Sequence, residues 1–247
     1  MIIQITETAC EIQDDLKQTV TTLTGIEDSK RMKQQILNQL QHLAYFKLVR
    51  GLTNTSTNTD MLQFRSLFSV VLSKKQGKHT LEESGPGCFR TGNHFDTCFH
   101  PECVVTITPS ESLYLQVQNK ANEHELPIYV YAFAMNCFDW EIEDLLKASR
   151  DVIPPKESRY GNCEVGAAGA FNMRIDFGLD EGQESCEDIV KVFITTQPTS
   201  FATIAMPKLG LRASYEEPVL RKKRGGRESE DWAALTFRVR VVERSFK

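Results

Sequence analysis

Residues 188–209, DIVKVFITTQPTSFATIAMPKL, join a buried-strand pattern to an abrupt stop. Ile189, Val190, Val192, Phe193 and Ile194 form a nearly continuous apolar run rich in β-branched side chains. Such a run fits a core strand better than a half-exposed one. Gln197-Pro198 ends it, because proline has no N–H to give to a sheet ladder.

Outward from this strand, several segments keep a period of two. Leu113, Leu115 and Val117 alternate with Tyr114, Gln116 and Gln118, and Phe171, Met173, Ile175 and Phe177 with Asn172, Arg174 and Asp176. Ile128, Val130, Ala132 and Ala134 alternate with Tyr129, Tyr131 and Phe133. Successive strand side chains point to opposite faces, so each segment has one face to bury. With Leu67–Leu72, Val104–Ile107 and Leu235–Val241 there are about seven strands between turn-rich loops, which predicts a mainly β fold, an antiparallel β-sandwich. Leu115, Val130, Ile175, Val192, Phe193 and Phe237 are the expected shared core.

The first fifty residues follow another period. Ala9, Ile12, Leu16, Val20 and Leu23 recur at spacings of three and four, and after Gly25 the pattern resumes with Ile36, Leu37, Leu40, Leu43, Ala44 and Leu48 until Arg50-Gly51. That spacing predicts an N-terminal helical hairpin over 1–52, packed on the main domain, with Asp28 or Ser29 capping its second helix. The β-sandwich domain is expected over 60–247, with a mobile loop at 212–230 around the basic run Arg221–Arg227.

The run Asp188–Phe201 with its tail Met206-Pro207-Lys208-Leu209 resembles the C-terminal accessory region of fungal and bacterial caspase-like proteins. Residues 40–54, LQHLAYFKLVRGLTN, are similar to the segment that leads out of the protease part of that family. So are Asp139-Trp140-Glu141-Ile142 with Ile153-Pro154-Pro155, and Glu230-Asp231-Trp232 before the last strand. The resemblance covers roughly residues 38–242. It implies a non-enzymatic accessory or interaction module whose partner is a protein, in particular a caspase-like relative. The catalytic module of that family carries a Gly-flanked His and an Asp-x-Cys-His pattern, and no cysteine here is followed directly by histidine.

Composition narrows the functional classes. Of 247 residues, 33 are acidic and 29 basic, a net charge of −4, so no global field draws the chain to nucleic acid or an anionic membrane. Thr6, Glu7 and Thr8 interrupt the apolar start where a secretory signal needs an unbroken core, and Ile128–Met135 is too short to cross a bilayer. A cytoplasmic location is therefore expected, in which the seven cysteines are thiols.

Three constellations bear on chemistry. His94, Cys98, His100 and Cys103 lie within ten residues, the donor types zinc takes, but H-x3-C-x-H-x2-C matches no common finger or ribbon spacing. No cofactor is expected. Elemental analysis after dialysis should find no zinc, and one retained equivalent, lost when Cys98 and Cys103 are replaced, would contradict this. Cys163, in Tyr160-Gly161-Asn162-Cys163, is the cysteine placed as a nucleophile if His124 serves as its base. The alternative to an interaction module is thus a small metal-dependent or cysteine-based enzyme using the His94–Cys103 cluster or Cys163. Tyr129, Tyr131 and Phe133 share a strand face that, left uncovered, makes an aromatic patch for a partner, with Trp140 beyond it. The competing reading buries that strand on both sides under the helices.

Overall fold

A computed structural model describes residues 2–5, 9–13, 19–24, 29–54, 59–74, 82–83, 89–90, 98–99, 104–121, 127–146, 151–153, 170–180, 182–199, 201, 204–209 and 231–243. Its described elements begin with three strands, β1 (Ile2–Ile5), β2 (Ala9–Gln13) and β3 (Thr19–Thr24), then helices α1 (Ser29–Gly51) and α2 (Thr59–Ser66). Strands β4 (Phe68–Ser73), β5 (Glu82–Glu83), β6 (Phe89–Arg90), β7 (Cys98–Phe99) and β8 (Val104–Ile107) follow. The remainder are β9 (Ser112–Asn119), β10 (Ile128–Asn136), β11 (Ile142–Asp144), β12 (Asp151–Ile153), β13 (Ala170–Asp176), β14 (Ser185–Thr195) and β15 (Trp232–Val242).

The protein is mainly β. One sheet runs β11-β10-β14-β15-β8, with β12 also on β10, and a second runs β13-β9-β4-β7. All seven expected strand segments form strands, the run around Val192 through its continuous apolar, β-branched sequence and others through period-two patterning with β-branched or aromatic residues. The purely antiparallel expectation is corrected at one edge, where β8 runs parallel to β15 with Arg238 opposite Val104. Parallel neighbours need a long crossover, and here the chain between Ile107 and Trp232 supplies it.

The N-terminal helical hairpin is corrected too. Its second helix exists as α1, ending at Gly51 as the sequence indicates, but the first is replaced by the antiparallel ladder β1-β2-β3. In Thr19-Val20-Thr21-Thr22-Leu23-Thr24 five of six residues are β-branched, and their χ1 restriction favours a pleated strand over the three-four spacing of neighbouring apolar residues.

Two cores share the central strands. On one face of the larger sheet, Val130, Val190, Val192 and Phe237 meet Leu72, Leu115, Val117 and Ile175 of the smaller sheet in one buried cluster. On the other face Tyr131, Phe133, Ile189 and Phe193 meet Phe46 and Val49 of α1 and Ile204 and Met206 from the chain after β14. Phe193 is therefore moved from the expected shared core into the second one. It neighbours Val192 on an extended strand, so the two cannot face the same side. The loop expected at 212–230 lies outside the described residues.

Candidate interaction site

The aromatic row of β10 is covered. Tyr131 and Phe133 are buried and Tyr129 is half-buried, with α1 and the segment after β14 lying over them. The Tyr131 hydroxyl accepts the Thr199 amide at 2.8 Å, and its ring meets Phe201 edge-on with centroids 4.6 Å apart. Phe201 stacks on Phe193 at 4.8 Å. The patch of Tyr129, Tyr131 and Phe133 required an uncovered face; the face is covered, as in the competing reading, because three aromatic side chains in one row carry too much apolar area to leave in water when a helix can cover them.

Between these aromatics lies a charge. Lys191 is fully buried, its Nζ donating to the Arg50 carbonyl at the end of α1 and to Thr236 Oγ1, both at 2.9 Å. The last carbonyls of a helix lack intrahelical donors, so Lys191 fastens the end of α1 to the sheet. Burial drives its pKa down to about 8.

Trp140 belongs to a different structure, the turn joining β10 to β11. Asn136 Oδ1 accepts the amides of Phe138 at 2.8 Å and Asp139 at 3.1 Å, and the Asn136 amide closes the turn on the Glu141 carbonyl at 3.0 Å. Asparagine favours such turns because its side chain stands in for a backbone acceptor. Trp140 has a φ of 59°, a left-handed conformation rare for a bulky residue and costing about 1–3 kcal/mol.

The surroundings hold it there. His42 Nε2 donates to the Trp140 carbonyl at 2.9 Å, and the Trp140 ring stands edge-on against Phe46 at 5.0 Å. Burial lowers the His42 pKa, opposed by that hydrogen bond. On the other side Lys208 Nζ pairs with Asp139 at 2.6 Å, the Leu209 amide donates to the Asp139 carbonyl at 2.8 Å, and Ile142 exchanges two backbone hydrogen bonds with Met206.

The outcome is a turn pinned from both sides with Phe138 at its tip, a large apolar side chain 60% exposed, as Leu48 of α1 is. Trp140, the residue the sequence indicates, is half-buried two positions on. The sequence signal for Phe138 is Asn136-Cys137-Phe138-Asp139, a turn composition that interrupts two strand patterns with an aromatic in the middle.

Around the tip the charge is acidic. Glu141 is pushed up by burial and by the neighbouring charges of Asp139 and Glu143, with Lys208 opposing. Asp188, across the strand from Asn136, is buried and pushed up to about 6, first by burial and then by the charges of Asp139 and Asp180, with hydrogen bonds from the Cys186 thiol and the Cys137 amide pulling the other way. Burial raises the thiol of Cys137 to about 11 and that of Cys186 to about 12, so both are protonated and unreactive at neutral pH.

The remaining candidates fall elsewhere. His94, His100, Cys103, Cys163 and His124 lie outside the described residues, and Cys98 is described only as the first residue of β7. Among the described residues no helix is long and apolar enough to cross a membrane. No family model, curated protein or solved structure matches this chain.

Proposed function

We propose that this chain is a non-enzymatic interaction module, a β-sandwich whose contact point is the turn between β10 and β11. The observation that carries the reading is Phe138, an exposed aromatic side chain two residues before Trp140, whose left-handed backbone is held from both sides. Interfaces draw most of their energy from a few such anchors, and a pre-ordered anchor loses little entropy on binding. The resemblance to the accessory region of fungal caspase-like proteins is in keeping with this and points to a caspase-like relative as partner and to a cytoplasmic setting. The protonated thiols of Cys137 and Cys186 also agree with a chain that performs no cysteine chemistry there.

Purified protein is expected to leave fluorogenic peptides with basic or acidic cleavage sites uncut, with or without calcium, before and after thiol blocking. Turnover abolished by Cys163→Ala would overturn the reading and make Cys163 a nucleophile. Titrated into a caspase-like catalytic domain, the chain is expected to bind, and Phe138→Asp to abolish binding. Absence of heat with wild-type protein would remove the caspase-like relative as partner.

A further inference from the structure

Helix α1 has two different faces. His42, Leu43, Phe46 and Val49 are buried, the last two in the second core. At 3.6 residues per turn, Leu37, Ala44 and Leu48 point within about 20° of the direction opposite Phe46. All three are exposed, Leu37 by 48% and Leu48 by 60%. With Gln34 and Gln41, also exposed, they form a row at spacings of three, four, three and four. That alternation is the seam of a coiled coil, with Leu37 and Ala44 at its d positions and Gln34, Gln41 and Leu48 at its a positions.

We infer that this seam receives an acidic amphipathic helix of a protein partner, at a surface separate from the Phe138 turn. The flanks give the charge of the occupant. In the same register Arg31 falls at an e position and Lys33 and Lys47 at g positions. The whole helix holds five cations, Lys30, Arg31, Lys33, Lys47 and Arg50, and no carboxylate. Lys30 with Lys33, and Lys47 with Arg50, are like-charge neighbours three residues apart, an arrangement that weakens a helix left to itself. Residues at e and g select a partner by pairing with opposite charge across the seam. A second copy of α1 brings only further cations, so the matching helix belongs to another chain and has Glu or Asp at those positions.

The shape of the face agrees. A helix that lies in a lipid surface buries a wide apolar stripe there, whereas α1 keeps its wide apolar face for the sheet and offers only a narrow seam outward. From Leu37 to Leu48 the seam runs three turns, roughly 16 Å, which a partner segment of about a dozen residues covers. Gln34 and Gln41 within it fix the register at a cost in stability, as polar seam residues do.

The test uses two three-heptad peptides with Leu at a and d, one with Glu and one with Lys at e and g, each added to the full chain. Like charges at e and g keep each peptide from pairing with itself, so helicity gained on mixing and the affinity from a titration report the contact. The Glu peptide is expected to bind and the Lys peptide to stay unbound. Affinity for the Glu peptide should fall at least tenfold in Leu37→Gln, Leu48→Gln and again in Arg31→Gln, Lys33→Gln, and weaken with added salt. It should hold in Arg174→Gln, which removes an exposed cation from β13 of the smaller sheet. These positions are all exposed, so urea midpoints close to the parent's are expected to accompany the losses. Equal binding of the two peptides, no binding of either, or unchanged affinity in the leucine variant would overturn the inference. Self-association of the chain that depends on Leu37 and Leu48 would overturn it in favour of a second copy. Leucine-dependent binding to phosphatidylserine vesicles, without binding of the Glu peptide, would overturn it in favour of a membrane.

Discussion

Phe193→Ala is expected to lower folding stability by about 3–5 kcal/mol. Phe193 is 1% exposed and sits where three parts of the chain meet. Its ring stacks on Phe201, meets Phe133 edge-on at 6.1 Å and lies 6.5 Å from Trp232. Each neighbour is fixed independently, Phe133 by β10, Trp232 by β15 and Phe201 through its contact with Tyr131, so the cavity has no element free to fill it. The cost should therefore approach the upper part of the range for a buried aromatic. Urea unfolding measures it: a shifted midpoint at unchanged slope is the expected signature. A loss under about 1 kcal/mol would show that the second core is loosely packed and that α1 is not held on the sheet as described.

The second large effect is electrostatic. Lys191 titrates at about 8 in the folded protein against an ordinary value of 10.5, so the folded state gives up its proton before the unfolded state does. In that window the unfolded chain binds more protons, and stability rises with pH. The full rise from pH 8 to 10.5 corresponds to about 3 kcal/mol. The Cys137 and Cys186 thiols, raised by burial, act with the opposite sign around and above their ordinary value of 9.0. Between pH 8 and 9 Lys191 contributes a rise of about 1 kcal/mol, of which the two thiols, half-ionised in the unfolded chain at pH 9, take back roughly 0.7 kcal/mol, so the wild type is expected to gain about 1 kcal/mol relative to Lys191→Met across that unit. A wild type that loses as much stability as the variant between pH 8 and 9 would contradict the account.

Lys191 also shows what a sequence can and cannot convey. The continuous apolar run around it marks a strand buried on both faces, and a lysine inside such a run must find acceptors. Which acceptors they are depends on Arg50, 141 residues earlier in the chain, and on Thr236, 45 later. No local pattern encodes that meeting. The alternating strand segments are legible because side-chain alternation is a local consequence of the pleat.

The N-terminal strands run against their apolar spacing because the threonine-rich composition of Thr19–Thr24 favours the pleat over the helix. The aromatic row of β10 was legible as a face, but its cover was not, since α1 and the segment after β14 reach it only through the tertiary fold. The turn at Phe138 was least legible of all. A positive φ at tryptophan runs against local preference, and it exists only because His42, Phe46 and the chain around Met206 hold the hairpin in place.

Binding by Phe138→Asp tests the central claim most directly, titrated into a caspase-like catalytic domain beside the parent, with the urea midpoints of the two compared. Because Phe138 is exposed, the substitution is expected to cost no more than about 1 kcal/mol, part of it repulsion from the acidic groups around the tip. The account predicts that affinity nevertheless falls at least tenfold. A variant that is as stable as the parent and binds equally well would contradict the assignment of this turn as the contact site.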